Sequence, residues 1–425
     1  MSKCHTVVAG DTLSRIAVRY YGKGERWTDI VKSNPQLVGR RTAPDGSPVI
    51  RSGDMLLIPG YDEGFSANKG ETVVLDANAK RDITLFIDGK KFTGFTAFTI
   101  DSPVDSFDAF SFSAAWDSSN VFIRSAFRPF SYKRCEVRYD EEVLFRGVML
   151  PSVPQISPEA KTIGVQGYPL CGVLSDSCIP DSIYPPQFDR LTLKQIADTV
   201  CEPFGVSVRM NDDGGAVFEK VGIEAGEKVF DFLKKLAEQR GLFLSNTSDG
   251  ALLIWKPKTE VVSASFKEGE APFVSCVPSF DGQNMFSHLT GFTKVSRLKE
   301  SEKYTYENNY LIKNGVLRQH TVTIDDAESD TLESSVKALA GRMYASAVKY
   351  TLTVTGHRDK NGRLYRKNMT VSLFAPDAEV YRDTKLQVDS VQLSRSDSDG
   401  DIAVLSLVLP GARTGQLPEV FPWEE

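Results

Sequence analysis

The sequence predicts a multidomain chain, mainly β with an α+β insert: a small βααβ module first, then two β-rich blocks flanking an α/β block. Three observations carry this prediction. The last hundred residues read as one helix followed by four strands: Leu332, Val336, Leu339, Ala340, Met343 and Ala347 recur at helical spacing, after which Tyr350, Leu352 and Val354 alternate with threonines. Residues 82–168 hold period-two segments and no helical pattern. Between these blocks, 169–285 contains two segments whose apolar residues share one helical face. At 425 residues the chain is long enough for two to four domains.

The first module is the most specific locally. His5-Thr6-Val7-Val8 is predicted as a short strand. Gly10-Asp11-Thr12-Leu13 turns into a helix with Asp11 as N-cap and Leu13, Ile16, Ala17 and Tyr20 on its apolar face. A second helix over 26–34 carries Trp27, Ile30 and Val31, and Asn34-Pro35 stops it. A closing strand ends in Leu57-Ile58-Pro59. This string resembles a LysM domain over residues 1–60. LysM domains bind N-acetylglucosamine polymers, peptidoglycan included, in a groove between the loop after the first strand and the loop after the second helix. The resemblance therefore implies glycan contacts from Gly10, Asp11, Thr12 and Leu13 on one side and Asn34 and Pro35 on the other. The second loop, 36–52, departs from the common pattern in its length and in Arg40-Arg41. Asp and Asn also favour helix ends, so capping and glycan contact both stand for Asp11 and Asn34.

Residues 61–81 read as a linker, with a short strand at Val73–Leu75. Strands follow at 83–87, turning at Asp88-Gly89 into 92–98, and at 109–116, 133–139, 143–151 and 162–166. In the α/β block, Thr192 and Gln195 form a capping box ahead of Leu193, Ile196, Ala197 and Val200, and Pro203 ends that helix. A strand over 204–210 comes next. Val229, Phe232, Leu233, Leu236 and Ala237 face one way on a second helix closed by Gly241, and a hairpin turns at Asp249-Gly250. Phe286–Ser296 is expected to re-enter the β layer, and 297–328 to form a long loop. Asp330, with Glu333 three residues on, is the expected cap of the last helix. The four final strands run over 350–355, 366–374, 385–393 and 401–409, with turns at Asp359–Gly362 and Asp397–Gly400. The fourth is apolar on both faces, Ile402, Val404 and Val408 against Leu405, Leu407 and Leu409, which points to a barrel or a subunit contact. Residues 413–425 are read as a polar tail.

The phrases Gly356-His357-Arg358-Asp359 and Asn361-Gly362-Arg363-Leu364-Tyr365, and the opening Asp105-Ser106-Phe107-Asp108-Ala109-Phe110-Ser111-Phe112, resemble the baseplate hub proteins of Mu-like contractile-tail phages and the related late-control D proteins. The likeness extends over about residues 80–412. It implies that 82–168 and 286–412 are similar tube-like β-barrel domains that alternate round a homotrimer, with the α/β insert 169–285 outside the ring. The implied function is structural: a pseudo-six-fold ring joining the tail tube protein to the central spike protein, in contact with other baseplate proteins, with DNA passing through its lumen without specific binding. The implied place is the baseplate of a virion tail assembled in the host cytoplasm.

Composition agrees with such a role and excludes others. A net charge of −6 argues against a sequence-independent nucleic-acid binder. No apolar run approaches the ~20 residues that span a bilayer, and no apolar signal core follows Met1. The six cysteines show no CxxC spacing, so reduced core thiols are expected. The four histidines, His5, His288, His320 and His357, stand apart. Neither a nucleophile elbow nor a phosphate loop is present. Asp397–Asp401 lacks the spacing and closing glutamate of a calcium loop. No catalytic, cofactor or metal residues are assigned, and no enzyme activity is expected. The alternative is a LysM-directed tail protein that binds or degrades peptidoglycan, or a host-surface binding module; a cleared band on a peptidoglycan gel separates the enzyme from the structural part.

Overall fold

The computed structural model describes residues 3–7, 11–21, 24–43, 46–58, 83–92, 95–150, 152–293, 301–324, 329–396, 398–413 and 420–424. The chain forms two units, Met1–Thr93 and Gly94–Glu425. In the first, β1 (Lys3–Thr6) pairs antiparallel with β2 (Met55–Ile58), and α1 (Leu13–Tyr21) and α2 (Trp27–Lys32) lie between them in sequence. This is the expected βααβ order. Leu13, Ile16, Ala17, Ile30, Leu37, Leu56 and Ile58 are buried together. The residue immediately before α1 is Thr12, whose Oγ1 accepts from Arg15 N at 3.2 Å. The same unit contains the hairpin β3 (Ile83–Ile87) and β4 (Lys90–Phe92), turning at Asp88 and Gly89 with positive φ at both. The linker 61–81 and its expected strand at Val73–Leu75 lie outside the described residues.

The second unit opens with β5 (Phe95–Pro103), β6 (Ala109–Ala115), α3 (Val121–Ala126), β7 (Arg134–Tyr139), β8 (Glu142–Met149), β9 (Val153–Ile156) and β10 (Lys161–Pro169). The α/β block follows: α4 (Val173–Asp176), β11 (Gln187–Leu191), α5 (Leu193–Cys201), β12 (Val208–Met210), β13 (Phe218–Gly222), α6 (Val229–Gln239), β14 (Phe243–Asn246) and β15 (Leu252–Trp255). Both bonds of the Thr192–Gln195 capping box are made. The apolar faces of α5 and α6 meet in one cluster with β14 and β15. Gly241 and Gly250 take positive φ where the helix and the hairpin end.

The rest comprises β16 (Val262–Lys267), β17 (Phe273–Phe280), β18 (His288–Thr293), β19 (Lys303–Glu307), α7 (Asn309–Lys313), β20 (Gln319–Ile324), α8 (Ser329–Ala347), β21 (Val348–Thr355), β22 (Thr370–Ala375), β23 (Val380–Ser396) and β24 (Gly400–Val408). Several expectations change here. The insert expected over 169–285 is shorter in the structure: β16 pairs with β22 and β17 with β21 of the carboxy-terminal block. The segment beginning at His288 does not rejoin the main sheet: β18 sits between β19 and β20 in a three-stranded sheet of its own. The expected long loop 297–328 therefore contains two strands and a helix. Its charged residues hide a period that shows only as Tyr304 and Tyr306, then Val322 and Ile324. These pack under Leu332, Val336 and Ala340 of α8. The helix approaches so closely that a Cβ on Gly291 would lie 2.4 Å from Val336 Cγ2. Asp330 lies inside the helix, and its side chain lies outside what is described, as does Asp397.

The main sheet runs β17-β21-β24-β23-β5-β6-β10-β8-β7. β23 pairs with β5 from Ser390 opposite Pro103 to Arg395 opposite Phe98, so the first and last β-rich blocks share one sheet within the chain. Apolar burial on both faces of β24 holds only in part. Ala403, Leu405 and Leu407 are buried with Tyr350, Leu352 and Val354 on one face, and Val408 is buried on the other. Ile402 and Val404 are half-buried. The tail is not simply polar: Phe421 is buried and stacks on Trp423 at 4.7 Å, beside Tyr310 and Phe280. No described helix is long and apolar enough to cross a membrane.

Candidate functional site

The six residues implied as glycan contacts divide by exposure. Gly10 lies outside the described residues. Thr12 and Pro35 are exposed, whereas Leu13 is part of the module's core. Asp11 is half-buried and accepts from His5 Nε2 at 3.0 Å, while His5 Nδ1 meets Tyr20 Oη at 3.0 Å. Asn34 is buried. Its Nδ2 donates to Ile30 O at 2.7 Å and Leu57 O at 2.6 Å, and its Oδ1 accepts from Leu57 N at 2.7 Å. Asn34 thus staples α2 to β2, which is work that a buried amide does only when its bonds are satisfied. The long second loop folds on itself: Ala43 N donates to Ser47 O at 2.7 Å and Val49 N to Arg41 O at 2.8 Å. Arg40 pairs with Asp54, and that hydrogen bond holds the Asp54 carboxyl below its ordinary range.

The second feature is one face of the main sheet. Strand residues alternate between faces. One face is buried: Phe98, Ile100, Phe110, Phe112, Ile163, Val165, Leu393, Leu405 and Leu352. The registers carry the opposite face across seven strands. Thr351 lies opposite Val277 and Ser406, Val404 opposite Gln392, Gln392 opposite Asp101, Thr99 opposite Ser111, and Ser111 opposite Gln166. These side chains are half-buried or exposed. The face is small, polar and almost uncharged; Asp101 and Lys349 are its charged members along these registers. Such a wall offers phosphates no cluster of cations to grip.

Two ionic clusters fix the blocks around that sheet. Asp108, from the turn after β5, accepts from Ser102 Oγ at 2.7 Å, Asn246 Nδ2 at 3.0 Å and Lys367 Nζ at 2.7 Å, and its own N–H donates to Asn246 Oδ1 at 2.8 Å. One carboxylate thereby joins the first β block, the insert and the last β block. Asp105 accepts from Leu244 N at 3.3 Å and from Arg342 Nη1 at 2.8 Å, with Lys234 Nζ at 3.3 Å, and ties the insert to α8. Both aspartates stand in the Asp105–Phe112 phrase that carried the resemblance, but apart from Ser102 these partners lie more than a hundred residues away and leave no local signal.

His357, one of the four histidines that stand apart in the sequence, is buried. Its Nε2 donates to Ser394 O at 2.8 Å and its Nδ1 accepts from Tyr139 Oη at 3.1 Å. Burial pushes its pKa below the ordinary 6.5, against the opposing pull of Ser394 O and Asp401. A lowered folded-state value means that the unfolded chain takes up the proton first. This contribution to stability is complete above about pH 6.5 and is lost as pH falls through the folded value. The wild type is therefore expected to lose more melting temperature between pH 7.5 and 5.5 than His357→Gln; equal losses would contradict this. Asp359 completes the neighbouring turn, accepting from Asn361 N at 2.8 Å and Arg363 N at 2.9 Å, with Gly362 at positive φ. Among the described residues no group of His, Cys, Asp and Glu is arranged to hold a metal ion.

Comparisons with known proteins match two segments of the chain and most of its length. The family model for LysM domains matches residues 5–59, and the model described as baseplate hub protein gp44-like, second domain, matches residues 171–256. The baseplate hub protein gp44 of Escherichia phage Mu is 22% identical over 333 residues, 75% of this chain and 85% of that protein. Among solved structures, the 43 kDa tail protein of prophage MuSo2 from Shewanella oneidensis superposes with a TM-score of 0.65 at 26% identity, over 78% of this chain and 99% of that one. The tail protein from Neisseria meningitidis MC58 shares the fold, with a TM-score of 0.65 at 20% identity over 79% of this chain and 98% of its own. The chain thus carries a LysM domain at 5–59 and a baseplate hub gp44-like second domain at 171–256, and over about three quarters of its length it is similar to tail proteins of Mu-like phages.

Proposed function

We propose that this chain is the structural hub of a contractile phage tail baseplate: a homotrimer whose two tube-like β-barrel domains per chain alternate to make a pseudo-six-fold ring. The first such domain takes residues 82–168, and the second residues 286–412 together with β16 and β17; the inserted domain lies between them. The ring joins the tail tube protein to the central spike protein, contacts other baseplate proteins, and leaves a channel for DNA ejection. The protein does this as part of the virion, after assembly in the host cytoplasm, and catalyses no reaction. The observation that supports this best is the polar, nearly uncharged sheet face. A hub wall must let a polyanion slide past, and Ser, Thr and Gln side chains do so where Lys and Arg would hold it. The sharing of one sheet by the two β-rich blocks supports it as well, since a ring needs a continuous wall.

The LysM match favours a second role for residues 1–60, binding of peptidoglycan, with the exposed Thr12 and Pro35 as its contacts and Asp11 beside them. The module has its own core, centred on Leu13, Ile16, Ile30 and Leu56. Deleting residues 1–64 should therefore leave trimerisation intact and abolish co-sedimentation with peptidoglycan. A truncated chain that falls to monomers would make the module part of the ring's packing, and undiminished co-sedimentation would place glycan binding elsewhere.

A further inference from the structure

Among the described residues of the second unit, three strands of the main sheet are paired on one side only, β17, β9 and β16; β16 pairs with β22 alone and ends in the charged Lys267. Among the described residues β17 pairs only with β21, and β9 only with the first half of β10, whose far end is taken by β8. An unpaired edge presents N–H and C=O groups to any passing strand, and edges that must stay single are guarded by charged side chains. Neither the β17 nor the β9 edge carries a charge, and each is blunted by a single proline: β17 reads Phe-Val-Ser-Cys-Val-Pro-Ser-Phe and β9 reads Val-Pro-Gln-Ile. Both instead expose apolar side chains, Val277 at 60% and Phe280 at 47% on one, Val153 at 73% and Ile156 at 59% on the other.

Both edges also continue the nearly uncharged wall. Val277 lies opposite Thr351, and Val153 opposite Gly164, on the polar face traced above. We infer that the β17 edge of one copy docks beside the β9 edge of the next copy of this chain, so that the wall passes from subunit to subunit without a break. The inference rests on the trimeric hub reading and adds to it the surfaces that close the ring. Contact between like edges would be two-fold and end at a dimer; contact between unlike edges runs head to tail, and a 120° rotation between copies closes it into a ring of three. Pro278 and Pro154 remove one N–H from each edge, so the junction is short of backbone hydrogen bonds and relies on the exposed valines and isoleucine.

The test uses the full-length chain carrying Cys4→Ser, Cys178→Ser and Cys276→Ser, with Val277→Cys and Val153→Cys added singly and together, and a short bismaleimide cross-linker. The double variant is expected to give a denaturing-gel ladder ending at three chains, with each single variant remaining at the parent's one chain. Cross-linked dimers from Val277→Cys alone would show like edges meeting and overturn the inference. A native mass of three chains with no ladder in the double variant would also overturn it, while leaving the hub reading in place. A native mass of one chain would overturn both.

Discussion

Leu407→Asp is expected to abolish folding of the second unit. Leu407 is 0% exposed and lies between Tyr350 on β21 and Val388 on β23, both buried. The substitution forfeits about 1.5–3 kcal/mol of apolar burial. Placing a carboxyl group there without a partner costs several kcal/mol more, whether it stays charged or takes up a proton. Against a total stability of about 5–15 kcal/mol for a typical domain, that sum leaves little folded protein. Val408→Asp, at another 0% exposed position on the opposite face, should behave alike. Thr353→Asp is the control: it sits on the polar face between Ser275 and Val404, is half-exposed, and should change stability by no more than about 0.5 kcal/mol. Soluble yield and melting temperature decide the matter. A wild-type melt for Leu407→Asp would show that its face is wet.

Asp108→Ala is expected to cost about 3–5 kcal/mol, the range for removing one partner of a buried ion pair. Asp108 is 8% exposed and the Lys367 side chain 17%. The variant leaves the Lys367 ammonium with Ser245 Oγ alone at 2.6 Å and strips Asn246 Nδ2 of its 3.0 Å carboxylate bond. Because these groups come from three blocks, the loss should appear as weaker cooperativity between them as well as a lower urea midpoint. Adding Lys367→Met to Asp108→Leu removes both charges and should recover part of the loss. A urea-derived loss under about 1 kcal/mol for Asp108→Ala would show the cluster to be marginal.

What was legible in the sequence is what local pattern determines. The capping box at Thr192–Gln195, the faces of α5, α6 and α8, the glycine turns and the LysM string all express themselves within a few residues. What was not legible depends on partners far along the chain. β16 and β17 carry no mark of pairing with β22 and β21 in preference to the insert. β19 and β20 disguise their period because one face of a two-layer packing needs only Tyr304, Tyr306, Val322 and Ile324. The joining of β23 to β5, the Asp108 cluster and the burial of His357 are likewise tertiary events. In the LysM groove, residue type alone left Asn34 divided between capping and glycan contact; its burial and three backbone bonds give it a structural duty in either case.

The central claim is a trimeric ring with a lumen, and end-on electron microscopy of the purified full-length protein, with native mass measured on the same sample, tests it most directly. The account predicts particles of three chains with six density lobes around an open centre. A stable monomer at micromolar concentration, or a two-fold dimer with no central opening, would contradict it.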